Sequence, residues 1–398
     1  MDITIFPKKL SGTVYAIPSK SQAHRLLICS AFCDTPVNME IASVNEDIMA
    51  TVDCLRALGA NITQTKSGFH ITPIATPPKN AMLNCRESGS TLRFMLPIVG
   101  SLGVNTRIYM SGRLPERPLS PLWEEMERMG CRLTRPGQNV IQCQGQLKPG
   151  HYTIPGNISS QYITGLMFAL ALLPGQSQLH ITGETESAPY VEMTKQVLQM
   201  FGVSIENGAI CHCFPFHAPD SVSVEGDWSN GAFFLAAQAL GNDITVSGLS
   251  LHSAQGDKAI CDLLKKLSQH CIIDGRNIPD LIPVLAVVSG TKKGAEFQNI
   301  GRLRLKESDR IASTAQMLQA LGAGVHIFGD TMSVTPGAYH SCTIDAQNDH
   351  RIAMAAAIAS TVSQGKINVL GANCVKKSYP DFWSVFTNLG GYYEQYIR

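Results

Sequence analysis

The chain has 398 residues, 44 % hydrophobic and 16 % charged, and its 32 Lys and Arg against 31 Asp and Glu leave a net charge of +1. That balance lacks the basic surplus of a nucleic-acid binder, the apolar content is too high for a disordered chain, and the length exceeds one ordinary core, so two domains are expected. The opening MDITIFPKKLSG has no signal or transit pattern, and the longest apolar runs, such as GLMFALALL, are far short of a membrane span, so a cytoplasmic protein without membrane contact is expected.

Twelve Cys contain no C-x-x-C, and reduced thiols fit a chain without an export signal. The His residues form no H-E-x-x-H, and neither G-x-x-x-x-G-K-[ST] nor G-x-G-x-x-G occurs, so no metal and no cofactor is expected.

One phrase returns along the chain, an amphipathic helix stopped by Gly and followed by a short apolar run. It reads CLRALGANI at Cys54, EMERMGCRL at Glu125, VLQMFGVSI at Val197, MLQALGAGV at Met317 and VFTNLGGYY at Val385, with a weaker copy, LLKKLSQHCII, from Leu263. The stops at 59, 130, 202, 268, 322 and 390 are spaced by 71, 72, 66, 54 and 68 residues, which predicts six copies of one unit, three per domain. Upstream of each stop a second helix is predicted, opening near Ser19, Glu87, Asn157, Gly226, Asn277 and Asn348. Each opens on or beside Ser, Asn, Asp or Gly and is then apolar on nearly all faces, as a capped helix buried in a core should be. The unit is therefore a buried helix, a covering helix and strands between, an α/β fold. Small polar residues at a free helix N-terminus are N-caps, and with cations just inside they also suit an anion.

In chain order the cation-bearing stretches begin with Lys20, Ser21 and Arg25 in the first turns of the first buried helix. ESGSTLRF sets Gly89 between two Ser with Arg93 four residues on, which suits close approach of backbone to an anion. GRLPERPLSPL holds Arg113 and Arg117 in a Pro-rich loop, and SSQY, from Ser159 through Ser160 and Gln161 to Tyr162, adds hydroxyls and an amide. NIPDL places Asp280 at a buried helix start, where it is either a base or an N-cap. In RLRLKESDRIA the spacing of Lys306, Glu307 and Arg310 is that of surface ion pairing as much as of a site. QNDHR and VKKSYPD supply Asp349, His350 and Arg351, then Lys376 and Lys377.

SKSQAHR, ESGSTLRF, LPERPLSPL, ISSQY, VEGD, NIPD, LKESDR, QNDHR and KKSYPDF, in this order from Ile17 to Phe382, resemble the 5-enolpyruvylshikimate-3-phosphate synthase family. The resemblance implies two hinge-connected domains of three inverse α/β repeats each, the enolpyruvyl transferase fold, closing on substrate. Residues 18–224 would form the shikimate-3-phosphate-side domain, and 1–17 with 225–398 the second, carrying Asp280, Glu307, Arg351 and Lys377. It implies carboxyvinyl transfer from phosphoenolpyruvate to the 5-hydroxyl of shikimate 3-phosphate with release of phosphate. Lys20, Asp280 and Glu307 would be catalytic. Shikimate 3-phosphate would meet Lys20, Ser21, Arg25, Ser159, Ser160, Gln161, Ser187, Asp280 and Lys306, with Tyr190 in the same pocket. Phosphoenolpyruvate would meet Lys20, Gly89, Arg117, Gln161, Arg310, Arg351 and Lys377. The partners are these two small molecules, with no nucleic acid, no membrane and a monomer expected.

Eight cations, Lys20, Arg25, Arg93, Arg117, Lys306, Arg310, Arg351 and Lys377, less Asp280 and Glu307, give the implied site a charge of +6. Such a site would be held open by self-repulsion until anions bind. Three positions depart from the family pattern: His24 stands where Asn is familiar, Ser90 where Thr is common, and Arg302 where a shorter polar residue is usual. Phe94, where many members carry Pro, leaves glyphosate sensitivity open although Gly89 matches sensitive members. Two rivals share the repeats. A UDP-N-acetylglucosamine enolpyruvyl transferase would carry a Cys in the loop from Ser111 to Leu122, which has none. A non-catalytic anion- or RNA-binding protein would not need Lys20, Asp280 and Glu307 together.

Overall fold

The computed structural model describes residues 1–396. Two units, each with its own apolar core, share the chain: one is Pro18–Glu225, and the other joins Met1–Ile17 to the segment from Gly226 onward. The second crossing is therefore one residue beyond the expected one. The two crossing segments pair with each other, Ser19 N donating to the Glu225 carbonyl at 2.7 Å and Asp227 N to the Ile17 carbonyl at 2.7 Å.

The first unit contains α1 (Lys20–Ala31), α2 (Glu46–Ala57), α3 (Gly89–Leu102), α4 (Leu122–Arg128), α5 (Ser160–Leu172) and α6 (Ala188–Met200). The second contains α7 (Trp228–Ala239), α8 (Ile260–Lys266), α9 (Ile282–Thr291), α10 (Arg310–Leu321), α11 (His350–Ser360) and α12 (Phe382–Asn388). Odd-numbered helices are the buried ones and even-numbered helices cover them; α11 is buried along its whole length. Five of the six covering helices stop at Gly59, Gly130, Gly202, Gly322 and Gly390, all at positive φ, where a side chain would be strained, so the repeating phrase is a repeating left-handed stop.

The second repeat shows the unit complete. Strand Asn80–Asn84 leads into α3, and Asn105–Tyr109 returns parallel to it. After α4 an antiparallel hairpin, Cys131–Gly137 with Val140–Gly145, completes a four-stranded sheet in the order first, second, fourth, third. The third and fifth repeats have the same order. The others borrow strands. Val222–Ser223 supplies the first strand of the first repeat, beside Val37–Glu40. Asp2–Phe6 pairs with Ile367–Leu370 and Tyr392–Tyr396 to finish the sixth, and Ser11–Tyr15 lies parallel to Asp243–Ser247 as the first strand of the fourth. These exchanges explain why the second unit needs the start of the chain.

Ser19, Ser88, Ser159, Asp227 and Asp349 cap α1, α3, α5, α7 and α11 through their side chains, as the sequence pattern predicts. The fifth buried helix differs: α9 begins at Ile282 behind Leu281, without a side-chain cap. Asp280 therefore lies outside the helix, and its N-cap reading is excluded. Lys306 and Arg310 do not share a helix either, because Gly301–Leu305 is a short 3-10 turn and Arg310 is the first residue of α10. No helix among the described residues is long and apolar enough to cross a membrane.

Candidate functional site

In the first unit the starts of α1, α3 and α5 carry the expected groups. Lys20 Nζ donates to Asp47 Oδ2 of α2 at 2.9 Å, a partner that sequence reasoning missed. Arg25 is buried, and four of its five N–H groups are engaged: Nε with Thr194 Oγ1 at 2.8 Å, Nη1 with the Ser21 carbonyl at 2.6 Å, and Nη2 with Thr164 Oγ1 at 3.3 Å and the Tyr190 carbonyl at 2.9 Å. Burial lowers its pKa to about 10, which leaves it a cation at neutral pH. Ser21 and Tyr190 thus meet at Arg25. Ser187, which precedes α6, is buried in a left-handed conformation that non-glycine residues rarely take.

A second group forms where α3 and α5 cross. Pro97 of α3 has no N–H for the Arg93 carbonyl, and α5 comes so close there that a Cβ on Gly165 would lie 2.1 Å from that oxygen. The crossing sets Arg93 Nη1 2.9 Å from Gln161 Oε1, while Gln161 Nε2 donates to Ser90 Oγ at 2.9 Å. Tyr162 of α5 donates to the Pro118 carbonyl at 2.5 Å and so holds the chain next to Arg117. A Cβ on Gly89 would stand 2.7 Å from Nη1 of both Arg117 and Arg93. Gly89, Arg93, Arg117, Gln161 and Ser90 are therefore one cluster, while Ser159 caps α5 and Ser160 opens it.

Gly89→Ala tests this cluster. The added methyl displaces guanidinium ends rather than backbone, so the fold should tolerate it. Loss of one charged hydrogen bond, about 1.5–3 kcal/mol, should raise the Michaelis constant for the anionic donor that the resemblance implies roughly 10- to 100-fold with little change in melting temperature. Unchanged donor kinetics would remove Gly89 from the site.

In the second unit Asp280 bridges two arginines, Oδ1 accepting from Arg310 Nη1 at 2.8 Å and Oδ2 from Arg351 Nη2 at 3.2 Å. Arg310, 1 % exposed, also donates through Nε to Asp349 Oδ2 at 2.8 Å and through Nη2 to Glu307 Oε2. Arg351 Nη1 reaches the Ser229 carbonyl at 3.0 Å, and its buried Nε has no hydrogen-bond partner among the described residues. Lys377 Nζ donates to the Asn348 carbonyl at 2.9 Å, in a turn where Gln347 and Asn348 both have positive φ.

Burial alone would raise the Asp280 pKa, but Arg351, Lys306 and Arg310 outweigh it and hold the carboxyl far below its usual range. Lys306 moves the other way. Burial, only partly opposed by Asp280, lowers its ammonium to about 8. Arg310 and Arg351 are held as cations, since the carboxylates around them overcome the effect of burial.

The +6 inferred from sequence needs correcting. Asp47 beside Lys20 and Asp349 beside Arg310 are further carboxylates, so the first-unit cluster has four cations to one anion and the second-unit cluster four to three. Self-repulsion is correspondingly weaker, most of all in the second unit. Among the described residues no group of His, Cys, Asp and Glu could hold a metal ion.

A family model described as EPSP synthase (3-phosphoshikimate 1-carboxyvinyltransferase) matches residues 6–277 and 269–386. A 3-phosphoshikimate 1-carboxyvinyltransferase of Clostridium beijerinckii is 36 % identical over 430 residues, covering 99 % of each chain, and one of Clostridium acetobutylicum is 36 % identical over 416 residues, covering 98 % of this chain and 97 % of its own. Among solved structures, the EPSP synthase of Acinetobacter baumannii superposes with a TM-score of 0.80 at 19 % identity, over 99 % of this chain and 100 % of that one. The enolpyruvyl transferase NikO of Streptomyces tendae gives 0.77 at 18 %, over 99 % and 98 %. At those identities the two structures speak for the fold alone, two units of the enolpyruvyl transferase type. The full-length identity to the clostridial enzymes and the family match go further: the chain belongs to the EPSP synthase (3-phosphoshikimate 1-carboxyvinyltransferase) family.

Proposed function

We propose that this chain transfers the carboxyvinyl group of phosphoenolpyruvate to the 5-hydroxyl of shikimate 3-phosphate and releases phosphate, acting as a cytoplasmic monomer on these two small molecules without nucleic acid. The observation that carries the chemistry is Asp280, an ionised carboxylate between Arg310 and Arg351 with Lys306 and Glu307 beside it. Lys20, Ser21, Arg25, Ser159, Ser160, Gln161, Ser187, Asp280 and Lys306 hold shikimate 3-phosphate. Lys20, Gly89, Arg117, Gln161, Arg310, Arg351 and Lys377 take the donor.

The acceptor hydroxyl oxygen bonds to C2 of phosphoenolpyruvate while a proton is added to its methylene carbon, giving a tetrahedral intermediate. Loss of phosphate and of one methyl proton then restores the double bond. Asp280 removes the hydroxyl proton. Glu307, an anion beside Arg310 in the free protein, takes up a proton as the donor draws Arg310 away. It gives that proton to the methylene carbon and takes one back from the methyl group in the elimination, while Lys20 and Lys377 neutralise the leaving phosphate. With its carboxyl so far depressed, Asp280 is a weak base in the free protein. Donor phosphate and carboxylate compete for Arg310 and Arg351, and as those pairs loosen the carboxylate gains proton affinity. Phosphate release from a mixture of both substrates, absent when either is omitted, tests the proposal, and no release from the pair overturns it.

Lys306 adds a pH signature. Its ammonium, lowered to about 8 by burial, holds the acceptor phosphate only while protonated. kcat/KM for shikimate 3-phosphate, which reports the free enzyme, should therefore fall as pH rises through about 8. Lys306→Arg should move that basic limb upward by more than one pH unit. An unchanged limb would assign it to another group.

A further inference from the structure

The interior of the first unit holds a polar chain that the reaction above does not use. His24 in α1, Thr51 in α2 and Thr91 in α3 are each 0 % exposed. His24 Nδ1 lies 2.8 Å from Thr51 Oγ1, which lies 2.8 Å from Thr91 Oγ1. Thr91 Oγ1 donates toward Ser88 Oγ at 2.7 Å and the Asp47 carbonyl at 3.4 Å. Ser88 is the cap of α3, and Asp47 is the residue whose carboxylate holds Lys20. The chain thus links the early turns of three helices through an apolar core, where such groups persist only if their bonds are made.

Counting protons gives the chain a direction. Each threonine hydroxyl has one proton. That of Thr91 goes to Ser88 or to the Asp47 carbonyl, which can only accept, so Thr91 accepts from Thr51. Thr51 then has no proton left for the imidazole, and His24 must donate from Nδ1. Its Nε2 is left as a bare acceptor, and that buried nitrogen has no hydrogen-bond partner among the described residues. Burial first, then the charges of Lys20 and Arg25, hold the imidazole pKa well below its ordinary value, which keeps the ring neutral.

We infer that His24 is a positioning residue: as the Nδ1–H tautomer it orders Thr51, Thr91 and Ser88, and so fixes the first turn of α3, with Gly89 and Ser90, for the donor anion. The inference rests on reading Gly89 and Lys20 as donor-binding groups, but the tautomer can be read without any substrate. Nitrogen-15 NMR of the full chain labelled at histidine should show His24 protonated at Nδ1 at pH 7, and an Nε2–H ring would overturn the relay.

Kinetics test the consequence. Asn can offer an N–H close to where Nδ1 stands, so His24→Asn should keep the donor Michaelis constant within about twofold. His24→Leu and Thr51→Val should raise it about tenfold or more, a charged-contact-sized loss, with kcat and the constant for shikimate 3-phosphate within about twofold. Thr51→Ser, which restores the hydroxyl, should recover most of the difference, and the Thr51 pair decides the matter if His24→Leu does not fold. Lower melting temperatures with unchanged donor constants in His24→Leu and Thr51→Val would make His24 a packing residue and overturn the proposal. A wild-type protein that releases no phosphate would overturn the proposed function instead, while the tautomer still decides whether the relay exists.

Discussion

Asp280→Asn is expected to bind shikimate 3-phosphate with nearly unchanged affinity and to turn over about 10²- to 10⁴-fold more slowly, the usual cost of losing a general base. The substitution is not silent in the free protein. Both carboxylate oxygens accept from arginines, at 2.8 and 3.2 Å, so an amide must turn its NH2 toward one guanidinium. A fall in stability of about 1.5–3 kcal/mol should therefore accompany the lost rate. A carboxyl whose folded pKa is depressed contributes stability above its unfolded value and loses it on acidification. The gap in melting temperature between wild type and variant should accordingly narrow below about pH 4. Turnover within tenfold of wild type would sink the base assignment whatever the stability.

Asp349→Ala should act on folding rather than on chemistry. Asp349 is 0 % exposed and accepts from Arg310 Nε at 2.8 Å and Nη2 at 3.3 Å, from Ser308 Oγ at 3.0 Å and from the backbone N–H of Arg351 at 3.0 Å. Removing one partner of a buried ion pair costs about 3–5 kcal/mol, because the remaining charge stays buried. Trp228 and Trp383 lie in the second unit and Trp123 in the first. Denaturant unfolding followed by fluorescence in a Trp123→Phe background should show the second unit's transition moving to lower denaturant. A shift worth less than about 1 kcal/mol would mean that Asp280 and Glu307 suffice to hold Arg310.

The repeat was legible because it rests on local physics. A left-handed stop needs Gly and a buried capped helix needs a small polar residue before an apolar run, so Gly59 or Ser88 announces itself within a few positions. Long-range partners leave no such trace. Asp47 looks like an ordinary acidic residue in the first turn of α2 until the fold brings it to Lys20, 27 positions away. Asp349 reads as the cap that it is, yet nothing near it in sequence tells that it also holds Arg310. Asp280 stayed open between base and N-cap for a related reason: a carboxylate ahead of an apolar helix suits both readings, and only the structure shows that Leu281 takes the cap position while the carboxylate meets Arg310 and Arg351. The threonines behind His24 were invisible, since a buried Thr and a surface Thr are the same letter.

The borrowed strand at the start of the chain bears on how the protein is made. Asp2–Phe6, with Ile3 and Ile5 fully buried, lies between Ile367–Leu370 and Tyr392–Tyr396. On the ribosome this strand thus emerges well before either of its neighbours, Ile367–Leu370 and Tyr392–Tyr396. Pro18–Glu225 is complete once Glu225 has been made, but Ile3 and Ile5 then stay without their sheet until about 170 more residues, up to Tyr396, have followed. At roughly 5–20 residues per second that interval is on the order of ten to thirty seconds. During it the strand Asp2–Phe6 is an unpaired apolar edge, the kind of segment that chaperones cover and neighbouring chains capture.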